Sequence, residues 1–440
     1  MDNKYTVYKI LKKFLDELIK NHESYVILGN YLKEFDLADG DIDIAVAHDV
    51  FKNIPEFLLD FCSSEKIYLT QLMRHEVTSI YACLVWFDDD GNLKNLNLDI
   101  CSDYMFNGVT YFTANEFLAG SIKSRNGDLE IRVPNDRVNL EYYAIKKFLK
   151  REVPNEASLF QNFLFERLNE KDKIAVCSSL FGENLTSDLE KAFSWDVLFN
   201  FAKKGQRWRN RKRFSNITSE LKRLYYRMLW PSGLIVAFLG PDGSGKTTII
   251  EQNQQALRCC FRRSDYFHLR PRLLNASKQG KPVLNPHALE PRGIVASIAK
   301  LLYFYIDYRV GFWAKVTWKK ARSSFVIFDR YFHDLYIDQR RYRLNLSRRI
   351  ISYVSGHVPS PDVWIILTAP VDVILTRKAE VSYAECNRQI SEYEMLANEL
   401  PKAKLIKTNT DVKTSCYEVQ DYIFKTLNKR LTDRVRSRKL

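Results

Sequence analysis

The feature that most constrains this chain is a glycine-rich stretch, residues 240–248, which reads GPDGSGKTT. An apolar run, Leu234–Leu239, precedes it, and two isoleucines, Ile249 and Ile250, follow it. A strand, a glycine loop and a helix in this order bring backbone N–H groups around the phosphates of a nucleotide. The pattern therefore predicts a phosphate-binding loop between a buried strand and a helix.

Each position of this loop has an expected role. Lys246 reaches the β- and γ-phosphates, and the hydroxyl of Thr247 binds Mg²⁺. Further contacts to the nucleotide are expected from Gly240, Asp242, Gly243, Ser244, Gly245 and Thr248. The expected cofactors are therefore ATP and Mg²⁺. A chance glycine-rich turn is the alternative, and the complete motif in its strand–loop–helix context disfavours it.

Length and composition allow two or three domains, since the chain has 440 residues, of which 46% are hydrophobic. No segment reaches about 18 uninterrupted apolar residues, so no membrane span is expected. The N-terminus lacks a signal-peptide pattern, and the eight cysteines include no C-x-x-C pair. These features favour a cytoplasmic protein without a zinc site or a disulfide scaffold.

The net charge of +14 is partly concentrated in two stretches, Lys203–Arg213 and Lys429–Lys439. One explanation is an anionic partner, such as nucleic acid, anionic lipid or a polyanionic glycan. The other is a solvated linker and a solvated tail, which is favoured because charge runs usually only solvate a surface. Nucleic acid is therefore allowed as a partner but not favoured. The oligomeric state is open, and a homodimer is one option.

The chain divides by pattern into four segments. Residues 1–135 begin with an amphipathic helix and continue with strand-like runs, whereas residues 136–230 are mostly helical and contain the first basic stretch. Residues 231–428 alternate strands and helices, and residues 429–440 form a basic tail. The alternation predicts a doubly wound parallel sheet covered by helices. The expected fold class is α/β for the P-loop segment, with an α+β N-terminal domain and a helical middle segment.

A second functional pattern follows the apolar run Phe325–Phe328, where Asp329 and Arg330 come next. In a doubly wound sheet the carboxyl end of a strand faces the ligand crevice. Asp329 can therefore face Mg²⁺ or its waters, or orient the acceptor, and Arg330 can hold an anionic acceptor through bidentate contacts. The alternative is an ordinary surface ion pair. The acids and bases of residues 333–343 form either an acceptor pocket or an exposed helix.

A third pattern is a strand signal, Pro361–Pro370, followed by a short basic segment. This segment can close over the phosphates and exclude water. Arg377, Lys378 and Arg388 are candidates to stabilise the charge of the transferring phosphoryl group. Taken alone, each of them is also explained as a plain surface base.

Together these patterns resemble the thymidylate kinase-like family of P-loop kinases. The resemblance covers the C-terminal half and rests on residues 240–248, on Asp329–Tyr331 and on Ala369–Glu380. It implies Mg-ATP-dependent transfer of a phosphoryl group to a small anionic or sugar-containing acceptor. A nucleoside monophosphate and a sugar-type compound are both open as acceptors.

The resemblance also implies roles for single residues. The aspartate–arginine pair of these kinases handles the phosphate of the acceptor, which implies that role for Asp329 and Arg330. Position 243 is glycine, where one class of these kinases has an arginine in the loop. A basic residue of the later segment, Arg377 or Arg388, then has to supply that charge.

The N-terminal segment carries a separate pattern of acidic residues. A strand-like run, Tyr25–Leu28, is followed by a glycine, and Asp41 and Asp43 lie on the next strand-like run. Alternate side chains of a strand share one face, so these two carboxylates lie together. Asp99, on a later run, is a third acid, and such carboxylates can share Mg²⁺ ions that bridge a triphosphate. A chance D-x-D is the alternative.

These acids, preceded by Gly29 and Asn30, resemble the nucleotidyltransferase superfamily, whose motif is G-S, a spacer, D-x-D and a distal acid. Asn30 stands in place of the serine, and its amide can still donate to a phosphate. The resemblance implies either an active domain or a degenerate copy. The resulting hypothesis is a kinase with an appended nucleotidyltransferase-like domain. The alternatives are a nucleotidyltransferase with a regulatory P-loop domain and a nucleic-acid-binding NTP switch.

Overall fold

The computed structural model describes residues 2–20, 24–31, 40–106, 109–150, 155–181, 217–273, 290–409 and 411–438. The chain separates into two compact units. The first comprises Met1–Tyr226 and Asn428–Leu440, and the second comprises Arg227–Leu427. The division into four segments stays a prediction, and the basic stretch Lys203–Arg213 lies outside the described residues.

The first unit is built on a mixed sheet. Its strands are β1 (Tyr25–Ile27), β2 (Ile42–Val46), β3 (Tyr68–Glu76), β4 (Ser79–Phe87), β5 (Leu93–Cys101), β6 (Tyr104–Phe106), β7 (Val109–Phe112), β8 (Ile122–Asn126) and β9 (Leu129–Val133). Five of them form a sheet in the order β1-β2-β5-β4-β3, and the other four form two hairpins. Of the described pairs in this sheet, β2 with β5 is parallel and the others are antiparallel.

Helices complete the first unit. They are α1 (Asp2–Lys20), α2 (His48–Ser64), α3 (Ala114–Leu118), α4 (Asp136–Lys150), α5 (Asn155–Glu166), α6 (Glu170–Phe181) and α7 (Ile217–Leu229), whose last residues belong to the second unit. The apolar side chains of α1 recur at helical spacing, so Leu11, Phe14 and Leu18 all face the core and are fully buried. A mixed sheet with helices is the α+β arrangement expected for this part of the chain.

The second unit contains a five-stranded parallel sheet. Its strands are β10 (Leu234–Leu239), β11 (Arg263–His268), β12 (Ser324–Asp329), β13 (Val363–Thr368) and β14 (Ala403–Lys407). They lie in the order β11-β12-β10-β13-β14, and each neighbouring pair is parallel. Every residue of β10, β12 and β13 is buried, because both faces of the sheet are covered. The predicted α/β fold class with a parallel sheet is thereby confirmed.

Helices also connect the strands of the second unit. They are α8 (Lys246–Ala256), α9 (Ile294–Gly311), α10 (Thr317–Ala321), α11 (Asp334–Ile337), α12 (Arg348–Ser355), α13 (Val371–Arg377) and α14 (Tyr383–Glu399). A last helix, α15 (Val412–Arg436), follows β14, and its residues from Asn428 onward belong to the first unit. A 3₁₀ turn, Leu257–Cys259, follows α8, and a π-helical turn, Phe312–Val316, follows α9. None of the helices that the structure describes has the length and apolar character needed to cross a bilayer.

Candidate active site

The glycine loop lies between β10 and α8, and its glycines have backbone angles that other residues rarely adopt. The φ angles are +144° at Gly240, +83° at Gly243 and +80° at Gly245. A Cβ atom at Gly240 would lie 2.2 Å from the carbonyl oxygen of Leu367, and one at Gly243 would lie 2.8 Å from that of Ile374. Both the backbone angle and the close approach of neighbouring chain therefore require glycine here.

Lys246 is the first residue of α8, and its side chain folds back over the loop. Its Nζ donates hydrogen bonds of 2.8 Å to the carbonyl oxygens of Gly240 and Pro241. Burial, reinforced by the positive charge of Arg330, lowers the pKa of Lys246 to about 8. This ammonium group is thus held inside the loop, where the phosphates of a nucleotide would meet it.

The hydroxyl groups of the loop are also suited to a phosphate ligand. The buried Oγ of Ser244 has no hydrogen-bond partner among the described residues, and an unpaired buried donor is suited to a phosphate oxygen. Thr247 and Thr248 are exposed on the first turn of α8. The loop therefore has the groups that ATP needs, with the hydroxyl of Thr247 available to a Mg²⁺ ion.

Four basic side chains converge on the carboxylate of Asp242, and we call these five residues the Asp242 cluster. Arg330 and Arg341 form ion pairs with this carboxylate. The ammonium groups of Lys378 and Lys246 lie 3.7 and 3.8 Å from its oxygens. Burial alone would raise the pKa of Asp242, but the positive charges, those of Arg330 and Lys246 first, lower it strongly. Asp334 and Glu380 also pair with these bases, so three carboxylates share the four positive charges beside the loop.

Asp329 and Arg330 end β12 next to the loop, and both side chains are buried. The hydroxyl of Tyr266 donates a 2.8 Å hydrogen bond to Oδ2 of Asp329, whereas the buried Oδ1 has no partner among the described residues. Arg330 has a φ of +72°, and its N–H donates to the carbonyl oxygen of Phe238 at 2.9 Å. Left-handed backbone at a non-glycine residue is strained and clusters at functional sites. A surface ion pair is therefore the wrong interpretation here.

A buried carboxylate fixes the guanidinium group of Arg330. Asp334 is fully buried, accepts from Arg330 at 2.9 Å and accepts from the hydroxyl of Tyr393 at 3.0 Å. Burial raises the pKa of Asp334, although Arg330 and Lys246 act to lower it. The exposed helix considered for residues 333–343 is wrong at its start, because His333, Asp334 and Asp338 are all buried.

The two later arginines lie in different surroundings. Arg377 donates a 2.9 Å hydrogen bond to the carbonyl oxygen of Thr408 and lies beside Gly245, at the start of α8. Arg388 pairs with Glu385 at 2.6 Å and donates to the carbonyl oxygen of Ile337 at 2.7 Å. In the described contacts neither arginine reaches Asp242. Instead, Lys378 and Arg341 lie beside Asp242. The sequence singled out Lys378 as a candidate, whereas it offered Arg341 only as one of the acids and bases of residues 333–343.

A cavity of about 1020 Å³ lies beside Arg388. Its lining residues are Tyr336, Ile337, Asp338, Gln339, Arg340, Arg348, Ala379, Glu380, Val381, Ser382, Ala384, Glu385 and Arg388. Most of the charged groups that line the cavity are paired with other residues. Arg348 pairs with Glu392, and Glu380 lies 2.8 Å from Lys378. The cavity has the size of a small-molecule site.

In the first unit, the three predicted acids lie near one another. Asp43 and Asp99 are register partners on the parallel strands β2 and β5. Burial and the negative charge of Asp43 raise the pKa of Asp99 to about 7, and Asp41 adds to this effect. Such repulsion requires all three carboxylates to lie within electrostatic range.

The positive charge among these acids is Lys146, which forms an ion pair with Asp43. His75 lies beside them, with its Nε2 3.4 Å from Asp99, and we call Asp41, Asp43, Asp99, Lys146 and His75 the acid cluster. Carboxylate oxygens suit Mg²⁺ chemically. However, in the described part of the chain, no three His, Cys, Asp or Glu side chains are arranged to hold a metal ion. Metal binding by the acid cluster stays a prediction.

No family model matches this chain, and no curated protein matches it. It is similar to the solved structure of a thymidylate kinase from Ehrlichia chaffeensis, with 15% identity, 43% of this chain and 97% of that chain covered, and a TM-score of 0.31. It is also similar to a thymidylate kinase from Candida albicans, with 16% identity, 45% and 93% covered, and a TM-score of 0.35. The chemistry of the site is therefore interpreted from its own geometry.

Proposed function

We propose that the second unit is a Mg-ATP-dependent kinase that transfers the γ-phosphoryl group to a small acceptor. The acceptor is a nucleoside monophosphate or a sugar-type compound. The Asp242 cluster carries this proposal, because four basic side chains meet at a glycine loop of the P-loop type. Phosphoryl transfer spreads negative charge over the transferring oxygens, and fixed positive groups stabilise that charge.

In this proposal each group of the loop has one task. Lys246 exchanges its contacts with loop carbonyls for the β- and γ-phosphates, and Ser244 donates its unpaired hydroxyl to a phosphate oxygen. Asp329 orients the acceptor at the end of β12. When bound beside Thr247, Mg²⁺ would neutralise part of the phosphate charge. The remaining bases of the Asp242 cluster hold the transferring group while the acceptor approaches.

The experiment that tests this function is the substitution Lys246→Ala. Loss of a charged hydrogen bond to the phosphates should cost about 2 kcal/mol or more of transition-state stabilisation, about 30-fold in kcat/KM for ATP. The measurement is ADP release from the full chain with a panel of acceptors. Lys425→Ala, an exposed lysine on α15, is the matched control. Equal ATP turnover by Lys246→Ala and the unmodified chain would contradict the proposal.

A second function is proposed for the first unit, in which the acid cluster binds a divalent cation and a triphosphate. Its support is the position of Asp43 and Asp99 as register partners on β2 and β5, together with the pKa of Asp99, which burial and then the negative charge of Asp43 raise. Asp43→Ala should abolish Mn²⁺-dependent nucleotide binding in a Lys246→Ala background, measured by equilibrium dialysis. Lys246-dependent ATP turnover should be unchanged by Asp43→Ala alone. Metal binding that survives Asp43→Ala would exclude this site.

Three further expectations concern the location, the oligomeric state and the partners of the protein. A cytoplasmic location, a homodimer and binding of nucleic acid through the basic stretches all stay predictions. For nucleic acid, affinity that falls steeply with salt concentration would be the signature.

A further inference from the structure

One oxygen of Asp329 is a hydrogen-bond acceptor that the described residues leave unused. Asp329 is 9% exposed, and Tyr266 already donates to its Oδ2, while the buried Oδ1 has no partner in the described part of the chain. Leaving a buried charged acceptor unpaired is costly. A ligand that donates a hydrogen bond to Oδ1 would remove this cost.

The neighbouring strand β11 brings further hydrogen-bonding groups to Asp329. Tyr266 and His268 are two positions apart on β11, so they share one face of the sheet. His268 is the register partner of Asp329, and register partners lie on the same face. Tyr266, His268 and Asp329 therefore lie together on one face of the sheet, which we call the Asp329 face.

The chain after His268 is held rigidly in a strained conformation. Leu269 and Arg272 have φ angles of +65° and +52°, which are strained for residues other than glycine. The buried carboxylate of Asp307 fixes the segment by accepting from the N–H groups of Arg272 and Leu273 at 3.1 and 2.7 Å. The N–H of Leu269 donates to the carbonyl oxygen of Asp329 at 2.9 Å. The position of His268 beside Asp329 is thus fixed by the fold.

The bases near Asp329 are directed elsewhere. The guanidinium of Arg330 is held by Asp242 and Asp334, and that of Arg341 by Asp242, so the positive charge lies on the loop side of the crevice. Arg330 and Arg341 act electrostatically on His268, but both guanidinium groups are already paired with carboxylates, so an anionic oxygen at the Asp329 face would meet Asp329 itself. A hydroxyl group, in contrast, can donate to Oδ1 and also bond to His268.

We propose that the group that accepts the phosphoryl is a hydroxyl held on the Asp329 face, which makes the acceptor a sugar-type alcohol rather than a nucleoside monophosphate. This inference rests on the kinase function proposed above. The hydroxyl oxygen forms a bond to the γ-phosphorus while the bond from that phosphorus to the β–γ bridging oxygen breaks, and ADP leaves with the electron pair. The hydroxyl proton passes to Oδ1 of Asp329 and then to water.

The test uses the full chain with Mg²⁺ and ATP labelled in the γ-phosphate, at pH 8. The acceptors are glycerol, a set of uncharged hexoses and the common nucleoside monophosphates at equal concentrations. We expect label in the hydroxyl compounds at a rate at least about ten-fold above that of nucleoside diphosphate formation. Asp329→Asn, which keeps an acceptor for Tyr266, should lower the transfer rate by about 100-fold or more while ATP affinity is unchanged.

A second variant series tests the positioning role of His268. His268→Ala should raise KM for the hydroxyl acceptor several-fold with little change in kcat, and His268→Gln should restore part of the loss. His357→Ala, an exposed histidine after α12, is the matched control and should leave both constants unchanged. A loss in kcat and KM that His268→Gln does not relieve would remove His268 from the Asp329 face.

The outcomes separate this inference from the function on which it rests. Transfer to nucleoside monophosphates but not to hydroxyl compounds would overturn the inference and leave the kinase function standing. Transfer to none of the acceptors, while ATP binds through Lys246, would also overturn it. ATP binding that Lys246→Ala leaves unchanged would overturn the proposed kinase function and this inference with it.

Discussion

The Asp242 cluster and the acid cluster are opposite arrangements of the same kinds of charge. In the Asp242 cluster one carboxylate meets four bases, and its pKa is lowered. In the acid cluster the ammonium group of Lys146 pairs with Asp43, while burial and the negative charge of Asp43 raise the pKa of Asp99 to about 7. The sign of the local excess charge differs, so the first cluster is suited to an anionic ligand and the second to a cation.

The two clusters also share a structural basis. Asp242 and Arg330 follow two neighbouring parallel strands, β10 and β12. Asp43 and Asp99 lie on the parallel pair β2 and β5 of an otherwise antiparallel arrangement of described strands. Parallel neighbours bring residues that are far apart in sequence to one place on the sheet. A pair of parallel strands can therefore support a site for an anionic ligand in one unit and a site for a cation in the other.

The largest expected effect comes from removing the central base of the Asp242 cluster. Arg330→Ala would leave the fully buried Asp334 and the half-buried Asp242 without their main positive partner. Loss of one partner of a buried ion pair costs about 3–5 kcal/mol, so the free energy of unfolding of the second unit should fall by that amount. Urea unfolding measures this, and the transition that ATP shifts in the unmodified chain identifies the second unit.

Two further variants control this measurement. Arg349→Ala removes an exposed arginine of α12 and should change the free energy of unfolding by less than about 0.5 kcal/mol. The double variant Arg330→Ala/Asp334→Ala should recover part of the loss, because the unpaired buried charge is then absent. A loss below about 1 kcal/mol for Arg330→Ala would mean that the Asp242 cluster does not depend on its central base.

A smaller effect is expected from the acid cluster, as a dependence of stability on pH. The pKa of Asp99 is raised in the folded state to about 7, against about 3.9 for an unfolded chain. Its stabilising contribution is therefore complete below about pH 4 and is lost as the pH rises through about 7. Asp99→Asn should make the first unit more stable at pH 8 than the unmodified chain and flatten this dependence.

Thermal unfolding between pH 5 and pH 8 measures the effect. The transition that Asp99→Asn shifts is the one to assign to the first unit. Asp128→Asn, at an exposed turn between β8 and β9, is the matched control and should retain the full pH dependence. An unchanged pH dependence in Asp99→Asn would mean that the excess charge of the acid cluster is compensated by other groups.

The smallest expected effects concern Arg377 and Arg388. They test which substrate each of these arginines contacts. Arg377 lies beside Gly245, so Arg377→Ala should raise KM for ATP by up to about ten-fold, or about 1.4 kcal/mol. Arg388 lines the cavity, whose lining does not include Asp329, so Arg388→Ala should leave KM for ATP unchanged. Steady-state kinetics with each substrate varied in turn distinguish the two. An interchange of these effects would reverse the assignment of the two arginines.

Local patterns predicted the framework of the P-loop unit well. The strands β10, β12 and β13 were predicted close to their observed bounds, because each is a continuous apolar run between clear breakers. In the first unit, α2 was not predicted, since it contains Pro55, which reads as a helix breaker. The side chain of Pro55 is buried among its neighbours, so tertiary packing outweighs the local preference.

The partners of the site residues could not be predicted in the same way. Arg341 pairs with Asp242 across 99 positions of sequence, and Tyr266 bonds to Asp329 across 63. No local spacing relates such residues, because only the tertiary fold, including the pairing of β11 with β12, brings them together. The sequence also did not indicate that Asp334 is buried. Its partner Arg330 is only four residues away, but the left-handed backbone of Arg330 does not follow from the sequence.

The order of strands in the second unit has a consequence for synthesis on the ribosome. The strand β10 precedes both of its neighbours in the sequence, and Leu234 pairs with Phe325, 91 positions later. At a translation rate of about 5–20 residues per second, β10 therefore waits about 5–18 s for its first partner strand. During that time six apolar residues that are all buried in the finished protein have no sheet to join. We expect nascent chains of this length to be clients of chaperones that bind extended apolar segments.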